Sequence, residues 1–282
     1  MNKDEQRLSI RRILVALDAS PHSMAALDAA IALAAHFRAE LLGIFVEDIN
    51  LLRLAELPFA YEVGAYSATR RRLDVPHVEK ELRAQAEQVH RKLKKRAERA
   101  RIKWTFQVTR GTVATELLSH ASKMDLIILG KAGWSPKTFR HVGSTAQAIL
   151  AESPCAAMLL QDKADFGLHI YVTYEETAPG RRSLAAAAAL ASIYGSQLTI
   201  LIPEDSPDKG RDLQSKAAAW IKTQARETEY RLLQTANAYD LAQKLQAQSC
   251  GILVLPRESA VVKGDLLIEL LKELRIPVFL VR

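Results

Sequence analysis

Cysteine is scarce in this sequence. There are two in 282 residues, Cys155 and Cys250, far apart and without metal-ligand spacing. A disulfide framework and a cysteine-based metal centre are thereby excluded, leaving two reduced, mostly buried thiols beside strand-like runs. Long apolar runs are missing too. None reaches the roughly 18 residues that cross a bilayer; the longest candidate, Leu184 to Ile193, is short and Ala-rich. No membrane insertion is expected. The first residues, Met1 to Arg12, are charged and lack the apolar stretch of a secretion signal, so a cytoplasmic protein is expected. No DNA-binding motif is recognisable, which argues against a nucleic-acid partner. No protein metal cluster is visible.

What is present suits a globular chain: 49% of residues are hydrophobic and 25% charged, with length enough for two ordinary domains. The net charge of +7 is uneven, and residues 91–103 hold much of the excess. Such a run can meet anionic partners. Val89, Leu93, Ala97 and Ala100 recur at helical spacing within and beside it, so it reads more simply as the solvated face of an amphipathic helix.

Strand-like and helix-like runs alternate. Ile13 to Leu17 reads as a buried strand, Ser23 to Phe37 as a helix, Glu40 to Val46 as a second strand. Residues Glu47 to Val78 look irregular, with Pro58, Gly64 and Pro76 as breakers. A long helix is expected from about Glu79 to Arg101, then a strand from Trp104 to Thr109, a helix from Thr112 to Lys123 and a strand from Leu126 to Leu129. A helix to about Glu152 and a strand from Ala156 to Leu160 close the unit. Alternation of this kind implies a parallel, doubly wound sheet.

The pattern then restarts. Ile170 to Tyr174 matches Ile13 to Leu17, Ser183 to Tyr194 matches the first helix, Gln197 to Ile202 the second strand and Ile252 to Leu255 the fourth. Ile276 to Val281 corresponds to Ser153 to Leu159. Two copies of one α/β unit in tandem are expected, joined near 162–167. The apolar runs ending at Leu159 and Val281 are edge strands that need cover, from each other or from another chain. The segment 47–78, with Leu51, Leu54, Phe59 and Tyr61, is expected to pack against the second copy; a lid and a partner surface are the alternatives.

The copies differ chemically at one place. After Leu126 to Leu129 come Gly130-Lys131-Ala132-Gly133, nine more residues, and Gly143-Ser144-Thr145 opening an Ala-rich helix. Glycine lets backbone approach a ligand closely, and a helix start offers free N–H groups to an anion. The second copy has Pro256 and Ser259 where the first has Gly130 and Gly133, and Glu175 where the first has Asp18. As a plain structural reading, the glycines form a turn for helix–sheet contact and Asp18 is a helix N-cap in Asp-Ala-Ser-Pro. His141, Lys137 and Arg140 lie between Gly133 and Gly143, either near an anion or simply as an exposed basic loop. Trp134 either shields a site or packs.

These residues resemble the universal stress protein family in a tandem two-domain form. The resemblance covers nearly the whole chain, with residues 1–161 as one domain and 168–282 as a degenerate second. Its nucleotide-binding members carry Gly, two residues, Gly, nine residues, then Gly-Ser/Thr, the spacing seen here at Gly130, Gly133, Gly143 and Ser144; Asp18-Ala19-Ser20 is similar to the family's Asp-Gly-Ser. The resemblance implies two five-stranded parallel sheets of the Rossmann-like, adenine nucleotide alpha hydrolase-like class. It also implies an ATP site, or an ADP or AMP site, with Mg2+ bridging phosphates. Leu17 (by its backbone) and Asp18 would meet adenine and ribose, and Val46 adenine. Gly130 and Gly133 would close over ribose and phosphates, and Gly143, Ser144 and Thr145 would cap the phosphates. Lys131 departs from the family's usual residue and can bring charge to a phosphate; Ala132 cannot donate, and Ala19 in place of Gly narrows the turn. A nucleotide-dependent stress or signalling protein is expected, with an internal pseudo-dimer, a homodimer or a protein partner. A nucleotide-free scaffold and a slow ATPase are the alternatives, and no catalytic residue is identified.

Overall fold

The structure is a computed structural model that describes residues 9–63, 70–133, 141–161, 169–221, 228–233, 241–243, 245, 251–259 and 265–282. Trp134, Lys137, Arg140, Cys250, Gly264, the junction at 162–167 and most of the helix expected around 238–248 lie outside them.

The chain opens on β1 (Arg12–Leu17), whose Ile13, Leu14 and Val15 are fully buried. A strand apolar on both faces needs cover on both, as an interior parallel strand receives. α1 (Pro21–Phe37) is capped by Ser20, whose hydroxyl accepts the Ser23 N–H at 3.2 Å, and Pro21 sits in its first turn. Ser20, not Asp18, is thus the N-cap. Next come β2 (Glu40–Asp48), α2 (Ile49–Glu56), the short hairpin of β3 (Tyr61–Val63) and β4 (Arg70–Arg72), α3 (Val75–Ala100) and β5 (Trp104–Gly111). The half ends with α4 (Val113–Ala121), β6 (Leu126–Gly130), α5 (Ser144–Glu152) and β7 (Ala156–Leu160). The second half contains β8 (His169–Thr173), α6 (Ala178–Tyr194), β9 (Gln197–Pro203), α7 (Pro207–Ile221), β10 (Thr228–Leu233), β11 (Ile252–Pro256), α8 (Asp265–Glu273) and β12 (Val278–Val281).

The strands run β5-β2-β1-β6-β7 in the first half and β10-β9-β8-β11-β12 in the second, parallel throughout each. Both halves are therefore doubly wound five-stranded sheets with the same order. They fuse into one sheet of ten strands through β7 and β12, the single antiparallel pairing in it among the described residues, with Met158 opposite Phe279. The two apolar edges cover each other, the first of the two expected solutions, and Met158 and Phe279 are both buried there. Helices clad both faces. Leu27, Leu33 and Leu93 of α1 and α3 belong to one apolar cluster; Leu117, Ile149 and Leu270 of α4, α5 and α8 belong to the other.

In the segment 47–78 the described residues form α2, β3 and β4 rather than an irregular stretch, α2 packs elsewhere than expected, and Leu51, Leu54, Phe59 and Tyr61 are exposed. α2 lies against α3 and β5 of its own half, with Leu52 and Ala55 buried. The reason is topological: β5 is the outermost strand of the ten, and the seam with the second half lies at the opposite edge of the first five. Pro76 does not break α3; it occupies the first turn, behind the N-cap Asp74, which accepts the His77 N–H at 2.9 Å. In the basic run, Val89, Leu93 and Ala97 are fully buried while the charged side chains between them face outward. The run is the solvated face of α3.

Candidate functional site

In the first half the chain proceeds outward from β1 to β2 and β5, then returns to β6 on the other side of β1. The loops after β1 and β6 therefore diverge, leaving a crevice at the carboxyl ends of the strands, where open α/β sheets take ligands. A cleft of about 340 Å³ occupies that place, within the size range of small-molecule sites. All nine residues expected from the sequence line it: Leu17, Asp18, Val46, Gly130, Lys131, Gly133, Gly143, Ser144 and Thr145.

Its apolar part comes from Ala16, Ile44, Val46 and Leu129 on the sheet and from Val113 and Leu117 on α4. Ile44 and Val46 are two apart on a strand, and Val113 and Leu117 one turn apart on a helix, so each pair shares a face. Sequence reasoning missed all of these except Val46. The spacing was readable, but which apolar face borders a cavity and which borders core depends on the strand order. Leu17 buries its side chain in the cluster on the opposite face of the sheet, so it meets the cleft through its main chain.

The polar part is built from three turns. After β1, Asp18 Oδ1 accepts the Ser20 N–H at 3.0 Å, and Ala19 stands at φ +63°. That is the left-handed region, costly for a residue with a Cβ. After β6 the two glycines have different reasons to be glycine. A β-carbon on Gly130 would stand 2.7 Å from the β-carbon of His22 in α1, so Gly130 permits close helix–sheet contact. A β-carbon on Gly133 would stand 3.1 Å from Asp18 Oδ2, at the mouth between the two loops. The third turn starts α5. Gly143 is its N-cap and has no side chain with which to cap it, so the first N–H groups of α5 have no acceptor within the helix. Ser144, Thr145 and His141 stand around this end of the cleft. Asp18 is the only carboxylate among the described lining residues.

Lys131 departs from its expected part. It is 4% exposed, and its Nζ donates to the main-chain carbonyl of Leu274, in the second half, at 3.0 Å. Burial pushes its pKa down to about 8, against the opposing pull of Glu273. The charge expected at a phosphate is engaged across the seam.

The equivalent place in the second half is differently filled. Ser259 Oγ donates to Glu175 Oε1 at 2.6 Å, with Ser259 fully buried. A longer carboxylate and a hydroxyl stand where the first half has Asp18 and the open side of Gly133.

Outside the cleft, Glu62, His77 and Glu81 bring three ligand-type atoms within 4.8 Å of one another, a grouping the sequence did not reveal because β3 and α3 supply it jointly. Arg71 is seated among them, donating to Glu62 at 2.9 Å and contacting His77 and Glu81. Its guanidinium is the cation there. Among the described residues no helix is long and apolar enough to cross a membrane.

Residues 9–161 match the family model described as the Universal stress protein family. The fold is similar to that of a universal stress protein from Archaeoglobus fulgidus DSM 4304, at 17% identity and a TM-score of 0.70, with 96% of this chain and 98% of that one covered. It is also similar to a functionally unknown protein from Pseudomonas aeruginosa PAO1, at 13% identity and a TM-score of 0.60, with 99% and 94% covered. Likeness at these identities concerns the fold alone. No curated protein matches the sequence.

Proposed function

The chain belongs to the universal stress protein family, and from that premise we propose that its first half is an ATP-binding domain whose occupancy governs a stress-response or signalling interaction. The observation that carries this reading is the glycine-capped start of α5, Gly143-Ser144-Thr145, lining a cleft whose other part is apolar. An adenine nucleotide has that polarity: a flat, weakly polar base at one end and an anion at the other. The base would lie against Ala16, Ile44, Val46 and Leu117, and the ribose near Asp18 and Gly133. The phosphates would meet N–H and hydroxyl donors at Ser144 and Thr145. ADP and AMP present the same two ends. Mg2+, where it takes part, would be held through the phosphates; Asp18 is the one described carboxylate lining the cleft.

We divide the chain into a nucleotide-binding domain, 1–161, and a second domain, 168–282, derived from the same unit. The shared strand order supports this division, and the Glu175–Ser259 hydrogen bond supports a second domain without a nucleotide site. The β7–β12 register supports reading the pair as an internal pseudo-dimer. Binding rather than hydrolysis is the function favoured, because Asp18, the one carboxylate among the described lining residues, lies by this reading at the ribose and away from the phosphates, leaving His141 as the candidate base at that end.

The test is mass spectrometry of small molecules released from the purified full-length protein, followed by calorimetric titration with ATP, ADP and AMP. Adenine nucleotide retained or bound supports the reading. Its absence from both experiments leaves an interaction scaffold instead. Phosphate release that Ser144→Ala abolishes would make the protein an ATPase.

A further inference from the structure

Two side chains of each half cross the seam and grip the same feature of the other half. Lys131 directly follows β6, and Gln161 directly follows β7; Lys131 Nζ donates to the Leu274 carbonyl at 3.0 Å and Gln161 Nε2 to the same oxygen at 2.6 Å. Arg257 directly follows β11, and Arg282 directly follows β12. Arg257 donates to the carbonyls of Ser153 and Ala151, and Arg282 to that of Ser153 at 3.3 Å. Leu274 lies just past the end of α8, and Ala151 and Ser153 lie at the end of α5. In each direction a donor pair from equivalent positions satisfies carbonyls at the end of the other half's last helix, where the helix dipole is negative and the carbonyls lack intrahelical partners.

The exchange has unequal consequences, because only one half carries the cleft. Lys131 is part of the cleft's loop, and its main chain is a junction. Its N–H donates to the Leu160 carbonyl in β7 at 2.6 Å, and its carbonyl accepts the N–H of Gly143, the N-cap of α5, at 2.9 Å. One residue thus links the loop, the neighbouring strand and the start of the helix expected to meet phosphate. Its side chain fastens that junction to the second half, while Arg257 and Arg282 fasten the other end of the same helix.

We propose that Lys131 is a positioning residue: anchored on Leu274 of the second half, it holds the loop 130–133 and the N-terminus of α5 in their binding geometry, making the second half a structural component of the first half's ligand site. This rests on the nucleotide reading above. It differs from a direct phosphate contact in a measurable way. A direct contact weakens with each phosphate removed, whereas lost positioning weakens every ligand that needs the loop.

The experiment uses the full chain with Lys131→Met, which keeps the stem and removes the donor, and Lys131→Arg, which keeps a donor of the kind Arg257 supplies at the equivalent position. Calorimetry with ATP, AMP and adenosine is expected to show about a tenfold loss for all three in Lys131→Met, the scale of one hydrogen bond to a charged group. Lys131→Arg is expected to retain wild-type affinity. A loss confined to the phosphorylated ligands, or equal losses in both variants, overturns the proposal, as does unchanged affinity in Lys131→Met. If the wild type binds none of the three, the nucleotide reading has failed, and amide hydrogen exchange decides the positioning claim separately. The Gly143 amide must then exchange faster in Lys131→Met than in Lys131→Arg at equal thermal midpoints; equal exchange rates overturn it.

Discussion

Gly133 faces Asp18 so closely that a β-carbon on the glycine would stand 3.1 Å from the carboxylate's Oδ2. The second half shows what happens when that position carries a side chain: Ser259 Oγ lies 2.6 Å from Glu175 and the two groups satisfy each other. Gly133→Ser in the first half should recreate this pair. The carboxylate would be occupied by the new hydroxyl and the mouth narrowed. The expected outcome is a loss of ATP affinity of about tenfold or more, on the scale of a hydrogen bond to a charged group, with an unchanged circular dichroism spectrum. Undiminished affinity in calorimetry would show that ligand makes no use of the space between Asp18 and Gly133.

Gly143 and Gly130 should behave oppositely on substitution. Gly143 has φ −61°, and its β-carbon would lie 3.6 Å from the Lys131 carbonyl oxygen, an ordinary contact. Gly143→Val should therefore fold, at a cost of about 1 kcal/mol for a poor N-cap, and lose ATP binding because its methyls fill the space before the helix N-terminus. Gly130→Ala meets His22 at 2.7 Å. It should destabilise by about 1–3 kcal/mol through overpacking, read as a lower urea midpoint. A folded Gly143→Val protein that still binds ATP would remove α5 from the site.

Ala19 carries strain that can be relieved. At φ +63° its β-carbon opposes the conformation, at about 1–2 kcal/mol. Glycine removes that cost but adds flexibility to the unfolded chain, about 0.4–1 kcal/mol in the other direction. Ala19→Gly should thus raise unfolding free energy by roughly 0.5–1 kcal/mol. Chemical denaturation giving a destabilised variant would mean that Ala19 gains more from its buried methyl than it loses in the backbone.

Lys131 predicts a pH dependence with a defined sign. Its folded-state pKa is pushed down to about 8, from an ordinary value of 10.5, chiefly by burial. Between those values the unfolded chain binds more protons than the folded one, so stability rises with pH. The penalty of burying the charge is complete below pH 8 and is relieved toward 10.5. Subtracting the unfolding free energy of Lys131→Met from that of the wild type cancels the other titrating groups. The difference should climb from pH 8 to pH 10; a flat difference would show that Lys131 keeps its ordinary pKa.

Local chemistry accounts for what could be read without coordinates. Apolar runs such as Ile13-Leu14-Val15 state a strand covered on both faces, and Asp18-Ala19-Ser20-Pro21 states a turn and a helix start, though the cap is Ser20 and not Asp18. The spacing of Gly130, Gly133 and Gly143 states a loop and a helix N-terminus without side chains in the way. The same strand order in both halves follows from the restart at Ile170. All nine expected lining residues reach one cleft because each sits within a few residues of a strand end or a helix start, and a doubly wound sheet gathers its strand ends on one edge.

Other relationships depend on residues far apart in sequence. Val113 and Leu117 could be placed on one helix face, but whether that face meets core or cavity was set by the position of α4 beside β2 and β1. Gly130 lines the cleft as expected, but its further reason to be glycine, His22 against it, needed α1 to fold back over β6. The segment 47–78 was expected against the second half; because β5 is the outer strand, α2 lies against α3 and β5 instead, with Leu52 and Ala55 buried while Leu51, Leu54, Phe59 and Tyr61 stay exposed. Lys131 illustrates the division most sharply. Its place between two glycines was plain in the sequence, while the destination of its ammonium was not, since Leu274 comes within reach only when β7 and β12 pair. Periodicity and turn chemistry act over a few residues, and they determined the elements and the glycine loop. Strand order and the antiparallel seam act over the whole chain, and they alone decided which partner each side chain meets.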